Sequence, residues 1–448
     1  MKQDSQMDLS FANLKGKTVQ AHFDGGTVTS DAGALFLREV DRRTGIVDRV
    51  VGALREWRDP RYVVHELGDL VRQRIFQIAL GYEDADDADM LRTDPALKAA
   101  CERLPISGED LASQPTLSRL ENHVSRTQLM RMAYALGDAF IASFPTPPRQ
   151  LLLDLDDTDD PVYGAQQLAL FNAHCGEYAY QPLHIYDGLS GRLVTTVLRP
   201  GHRAQGIDIV KILQRVVARL RTAWPQVDIL VRGDSHFSSP PVHDFCRHHR
   251  LRFLLGQGTN SRLKELVAPT LSQAQDLFDA DQASEPVRLF TEFAYQAGTW
   301  AQPLRIVAKV EVTSLGTNVR FVTTNLESSQ PSFLYQKAYA GRGGMENYIK
   351  NHKTFLHSDR TSCHRFEANQ FRLLLHSAAY MLLHAFQELL LYGTQLQQAY
   401  FNTLQQRLLK VGARVVERGT VIHFHLPSSF PLQEIYRLID RRLHPAPM

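Results

Sequence analysis

The stretch Tyr339-Ala-Gly-Arg342-Gly-Gly-Met-Glu346-Asn-Tyr-Ile-Lys-Asn-His-Lys353 sets one carboxylate among cations at fixed intervals. Gly341, Gly343 and Gly344 read as a loop that enters a helix starting near Met345. In such a helix Glu346 and Lys353 lie two turns apart and face the same way. Arg342 then sits just ahead of the first turn, where free N–H groups and the helix dipole favour anions. A carboxylate in that company suits a metal ligand working beside phosphates. A solvated helix with i,i+4 ion pairs would account for the same charges, so the reading turns on what else the chain supplies.

Two strand ends supply more acids. Leu151-Leu-Leu-Asp154-Leu-Asp156-Asp157-Thr158-Asp159-Asp160 is an apolar run that reads as a buried strand delivering carboxylates at its C-terminal end. Val227-Asp-Ile-Leu-Val-Arg232-Gly233-Asp234-Ser235 is a second short β-rich run ending on an acid. Two strands terminating in aspartate, with Glu346 on a helix, form a site suited to two divalent cations, which take hard oxygen ligands.

These residues resemble the DDE transposases of bacterial insertion sequences, whose catalytic core is ribonuclease-H-like. The 339–353 segment matches that superfamily's Tyr-x2-Arg-x3-Glu-x6-Lys signature at all four positions. Asp156-Asp157-Thr158 fits the Asp-x-Thr around the first catalytic aspartate, and Arg232-Gly-Asp234-Ser-His-Phe237 fits the Arg-x-Asp-Ser-x-Phe around the second. The acids are separated by 234 − 156 = 78 and 346 − 234 = 112 residues, and the second gap implies an inserted domain. The resemblance runs from about Phe23 to Lys410 and takes in Ser30-Asp-Ala-Gly33 and Asp359-Arg-Thr361. It implies Asp156, Asp234 and Glu346 as catalytic metal ligands for Mg²⁺, with Mn²⁺ as substitute, and Tyr339, Arg342 and Lys353 as DNA contacts. It further implies cleavage at the transposon's terminal inverted repeats and strand transfer into target DNA by a homodimer or higher oligomer. In relatives with an insertion, an aromatic from it stacks on a displaced base; Trp300 is the candidate here, against the alternative that it packs the insertion's own core.

Asp154, Asp157, Asp159 and Asp160 compete with Asp156 for the first position. Strand alternation places Asp154 and Asp156 on one face and Asp157 on the other. An apolar strand ending in Asp-x-Asp-x-Thr also resembles the haloacid-dehalogenase phosphohydrolases, with Asp154 as nucleophile and Asp156 as acid/base. A catalytically inactive DNA-binding relative is a third reading.

The 448 residues carry 50 Lys and Arg against 48 Asp and Glu, a net charge of +2, so any DNA affinity must come from local basic surface. Cys101, Cys175, Cys246 and Cys363 are scattered with no Cys-x-x-Cys pair, so neither a disulfide framework nor a zinc ribbon is suggested. His243, Cys246, His248 and His249 read as a solvated helix face. Met1 to Ser10 has no apolar signal core, and Phe371–Leu391 is broken by polar residues, so it reads as a buried helix. The expected location is the bacterial cytoplasm, on the nucleoid when DNA is bound, and not a membrane.

The sequence divides into a mainly helical region at 1–148, read by analogy as the grip on the transposon end, and a ribonuclease-H-like core in two parts at 149–261 and 331–395. A β-rich insertion at 262–330 and a C-terminal region at 396–448 complete it. Helices are expected from Ser30 or Asp31 to Arg43, around Leu67–Ile78, over Leu117–Phe144 and over Gln205–Ala223. Hairpins are expected around Gly188–Gly191 and Gly419. The fold class is α/β: a mixed sheet flanked by helices, interrupted by β structure and preceded by a helical domain.

Overall fold

The computed structural model describes residues 9–173, 175–201, 206–280 and 285–445. Most of the Met1–Ser10 stretch and the expected helix start at Gln205 lie outside them. The chain forms two compact units, one of residues 122–377 and one of residues 1–121 with 378–448. The sequence boundaries at 148, 261, 330 and 395 all fall inside these units.

Residues 122–377 are built on one eight-stranded sheet. Its strands in chain order are β1 (Gln150–Asp157), β2 (Leu183–Asp187), β3 (Leu193–Val197), β4 (Asp228–Gly233), β5 (Arg252–Gln257), β6 (Val287–Tyr295), β7 (Leu304–Thr313) and β8 (Gly316–Thr324). They lie side by side in the order β3-β2-β1-β4-β5-β8-β7-β6. β1, β2 and β3 form an antiparallel meander, while β4 and β5 run parallel to β1. Central β1 and β4 are near-continuous apolar runs because both of their faces are covered. The expected hairpin at Gly188–Gly191 joins β2 to β3, with Gly191 at φ 75°.

The region read as a separate insertion joins this sheet. β8 pairs antiparallel with β5, from Gln257↔Phe321 to Leu254↔Thr324, and β7 and β6 follow by antiparallel pairing. The physical reason is the open edge of β5, whose unpaired N–H and C=O groups β8 satisfies. Helix Ser261–Ala280 packs on β6 and β7 through Leu263, Val267 and Ala274.

The helix expected to start near Met345 starts earlier. A continuous helical run goes from Pro331 to Phe355 through a π turn at Leu334–Tyr339, a 3₁₀ turn at Ala340–Gly343, an α segment at Gly344–Ile349 and a second π turn at Lys350–Phe355. Gly343 and Gly344 have right-handed helical angles and form no loop. Arg342 therefore does not precede a free helix N-terminus. The run is anchored by Leu334 and Tyr335, which pack on Leu152, Leu230 and Leu254 of the central strands. Each buried leucine of that kind contributes about 1.5–3 kcal/mol.

Leu117–Phe144 is two helices, Gln114–His123 and Arg126–Ala142. Ser125 breaks them because its hydroxyl caps the second helix at the Gln128 N–H while the Gln128 side chain returns to the Ser125 N–H, a reciprocal capping box. No helix among the described residues is long and apolar enough to cross a membrane. The expected buried helix over Phe371–Leu391 is Phe366–Leu390.

In the other unit the first helix is Ala34–Thr44, capped by Gly33 and not by Ser30 or Asp31. Asp31 is buried, accepting hydrogen bonds from Ser30 Oγ (2.6 Å) and Tyr82 OH (2.9 Å). The Ala32 and Gly33 N–H groups donate to the carbonyls of Val411 and Leu409 (both 3.0 Å). A Cβ at Gly33 would lie 2.2 Å from the Leu408 carbonyl oxygen and 2.5 Å from Leu409 Cα. The obstacle is backbone, which cannot swing aside. Gly33→Ala is expected to cost roughly 1–3 kcal/mol, as overpacking does, read as a lower urea midpoint. An unchanged midpoint would mean that residues 408–411 do not pack on Gly33.

Candidate active site

Period-two alternation along β1, β4 and β5 decides which side chains share a face. Leu152, Asp154 and Asp156 share one, and across the parallel register Leu230, Arg232 and then Asp234 share the same one. The 331–355 helical run covers this face. At its centre the Arg232 guanidinium forks onto Asp154, Nε to Oδ1 and Nη2 to Oδ2, both at 2.6 Å. Its Nη1 donates to the Ala338 carbonyl. Burial pushes the Asp154 carboxyl above the usual carboxylate range, while the Arg232 charge pulls it back. With 1% of its surface exposed and both oxygens held by Arg232, Asp154 is closed to substrate. That removes the phosphohydrolase reading, which needed Asp154 as nucleophile.

Two residues further along, the strands reach the surface. Asp156 Oδ1 pairs with Arg342 Nη2 at 2.9 Å. Its carboxyl is pushed up to about 6, by burial first and also by the Asp234 and Asp157 charges, against the pull of Arg342. Asp234 directly follows β4, and its Oδ1 accepts the His236 N–H at 2.8 Å, which fixes the turn. Gly233 leaves room for the buried Phe237 ring; a Cβ there would lie 2.8 Å from it. Gly256 on β5 does the same for the next layer, since a Cβ would meet Tyr339 OH at 2.7 Å and Ser235 N at 2.8 Å. The Tyr339 hydroxyl feels Arg342, Asp234 and Asp156, and burial raises its pKa. The structure thus brings together Asp156, Asp234, Tyr339 and Arg342.

The other sequence candidates are placed differently. Glu346 is exposed on the α segment four residues after Arg342, and its carboxylate makes no hydrogen bond or ion pair among the described residues. Lys353 lies in the second π turn, beyond the α segment that carries Glu346. Its Nζ donates to the Asp159 carbonyl and sits 3.4 Å from Asp160 Oδ1. Trp300 packs edge-on to His243 (5.1 Å) and Tyr295 (5.3 Å) beside the cluster under β6 and β7. His243 and Cys246 are buried on their helix and not solvated, and burial lowers the His243 pKa to about 4.

Sequence reasoning missed four polar groups. Arg199 pairs with Asp157 (2.8 Å), whose other oxygen lies 3.5 Å from His236 Nδ1. His236 Nδ1 is also 4.0 Å from Asp234 Oδ2, so this ring stands between the two strand ends. His184, opposite Asp156 in the β1–β2 register, meets His352 with Nδ1 atoms 3.3 Å apart. Both are fully buried; burial holds His184 well below its usual range and His352 down to about 3. Their only mark in the sequence is a histidine inside an otherwise apolar or helical run.

Among the described residues no three His, Cys, Asp or Glu side chains are gathered as a metal site. The donors are nonetheless of the right kind. Asp156 and Asp234 offer hard carboxylate oxygens whose mutual repulsion a divalent cation would relieve.

The transposase DDE domain family, group 1, matches residues 11–448, so the chain belongs to that family of transposases. No curated protein matches it. Among solved structures it is similar to the piggyBac transposase, seen by cryo-electron microscopy in a synaptic complex with hairpin DNA. The identity is 11% and the TM-score 0.41, over 94% of this chain and 86% of that one.

The raised Asp156 pKa makes a stability prediction for the metal-free protein. A carboxyl whose pKa rises from 3.8 to about 6 on folding binds its proton more tightly in the folded state. Stability therefore falls as pH rises through this window, and the penalty is complete above it. Asp156→Asn is expected to stabilise the metal-free protein by roughly 1–3 kcal/mol at pH 8, a gain that vanishes as the pH is taken below 4. Urea melts at pH 4, 6 and 8 test this; a gain independent of pH would refute the shift.

Proposed function

We propose that this transposase binds the terminal inverted repeats of a bacterial insertion sequence and cleaves and joins DNA by phosphodiester chemistry at Asp156, Asp234 and Glu346. The observation that carries the reading is the meeting of Asp156, Asp234, Tyr339 and Arg342 from two adjacent strand ends and one helical run. The meander β1–β3 followed by parallel β4 and β5 supports a ribonuclease-H-like core. Mg²⁺, or Mn²⁺ in its place, is the expected cofactor and would, when bound, stabilise the attacking and leaving oxygens. Asp156 and Asp234 would hold it, with Glu346, solvent-facing on its helix, as the third carboxylate. Arg342 exchanges part of its hold on Asp156 for a DNA phosphate, and the Tyr339 hydroxyl donates to another oxygen. Lys353 contributes positive potential while it holds the Asp159 carbonyl and the Asp160 carboxylate just past the end of β1. The helical residues within 1–148 are assigned the grip on end DNA, and the working form is a homodimer or larger.

Asp156→Ala, Asp234→Ala and Glu346→Ala are each expected to abolish Mg²⁺- or Mn²⁺-dependent cleavage of end DNA while leaving binding largely intact. Full strand transfer by any of them removes that residue from the site, and binding without cleavage in the wild type would favour an inactive relative. Arg342→Ala is expected to flatten the salt dependence of binding by about one unit of slope; an unchanged slope would mean that Arg342 serves Asp156 alone.

Trp300 is retained as a candidate for stacking on a displaced base, worth roughly 1–3 kcal/mol, although its packing on His243 and Tyr295 favours a structural role. A fluorescent base analogue at the cleavage site separates the two. Stacking requires Trp300→Ala to fold normally and to lose the unstacking signal.

A further inference from the structure

We infer that Arg232 is a positioning residue that fixes the helical run bearing Tyr339, Arg342 and Glu346 against the strand ends bearing Asp156 and Asp234. The inference rests on the phosphodiester reading above and names the device that holds that site in register.

Arg232 and Asp154 are 3% and 1% exposed, and neither reaches the surface where DNA would lie. One planar group serves three elements: its fork ties β4 to β1 through Asp154, and its remaining amino group ties both to the helical run at Ala338. Because the guanidinium is rigid, these bonds fix direction as well as distance, which a lysine ammonium would not do. Ala338 stands where the π turn gives way to the 3₁₀ turn, a place where the regular ladder changes and a carbonyl needs another donor.

The surroundings are shaped to this group. A Cβ at Gly188 would lie 2.2 Å from Asp154 Oδ2 and 2.7 Å from Arg232 Nη2, and one at Gly341 3.2 Å from Arg232 Nη1. The apolar contacts of Leu334 and Tyr335 hold the run down, but apolar attraction is non-directional and tolerates sliding. The Ala338 bond is directional and buried, and it acts one residue before Tyr339 and four before Arg342, ahead of the Arg342–Asp156 pair and the Lys353–Asp159 bond further along the run. A slip there would carry Arg342 off Asp156.

The test uses the full chain and Asp154→Leu/Arg232→Met, which removes both charges together, an exchange that buried pairs usually tolerate, and leaves the Ala338 carbonyl without its donor. Arg232→Lys, which keeps the charge and loses the fork, is the second variant. Three quantities are measured: affinity for end DNA, single-turnover cleavage at saturating DNA, and amide hydrogen exchange over residues 334–349. Both variants are expected to bind end DNA within about threefold of wild type and to cleave about 100-fold more slowly, the cost of a misplacement near 1 Å. Exchange over 334–349 should quicken about tenfold in both. Wild-type cleavage or wild-type exchange in a folded variant overturns the inference. If the double variant does not fold, Arg232→Lys decides alone. If the wild type itself does not cleave, the phosphodiester reading falls, and exchange, which needs no activity, still judges whether Arg232 holds the helix.

Discussion

Burying a charge is costly unless another charge and enough hydrogen bonds go with it, and the core of residues 122–377 is arranged around one such pair. Arg232 and Asp154 sit mid-sheet on parallel neighbours, already matched in register as Cα partners. Removing either partner would leave the other charge alone in a medium that cannot solvate it. The pair also dictates where things go next. Because strand side chains alternate, the residues two further on share its face, and these are Asp156 and Asp234. The candidate site is where the paired interior gives out onto the surface.

The acidic run after Leu155 shows how partners sort chemically identical side chains. Asp157 goes to Arg199, Asp159 accepts the Asn172 amide at 2.7 Å, and Asp160 is buried beside Lys353. Asp160 is pushed up to about 7 by that burial, Lys353 drawing it down and Asp359 pushing it further up. Asp156 alone combines partial exposure, a cation on the covering helix and a second acid close by. Local crowding of like charge, relieved only in part by arginine, is what suits this corner to a cation or a phosphate.

That sorting marks the limit of what the sequence made legible. The two strands, their terminal acids and the helical character of residues beyond Met345 were readable, because apolar runs and charge spacing are local. The preference for Asp156 among these acids rests on its place before Thr158. The fate of Lys353 was not readable: the π turn that carries it comes from packing, and residue spacing alone assumes regular turns. Helix Ser261–Ala280 carries Pro269 in its interior, which argues against a helix on local grounds and was overridden by burial on β6 and β7. The union of β8 with β5 is a long-range event with no mark in either strand. Ser125-Arg-Thr-Gln128, by contrast, is a legible capping signal that splits one expected helix into two.

The second unit is assembled from both ends of the chain, with residues 122–377 lying between its halves. Val28–Thr29 pairs antiparallel with Ala413–Arg418, more than 380 residues away in sequence. Gln405 reaches the Ala79 carbonyl, the Glu417 carboxylate receives the Ile106 and Ser107 N–H groups, and Phe36 meets Tyr436 edge-on at 4.7 Å. During synthesis the first 121 residues leave the ribosome long before any of these groups exists. The large sheet has all its strands once residue 324 has emerged, whereas the head of the protein must wait for its tail. A message broken or a ribosome stalled near residue 400 would release a chain with its sheet strands intact and its amino-terminal helices unfinished, ready for proteolysis.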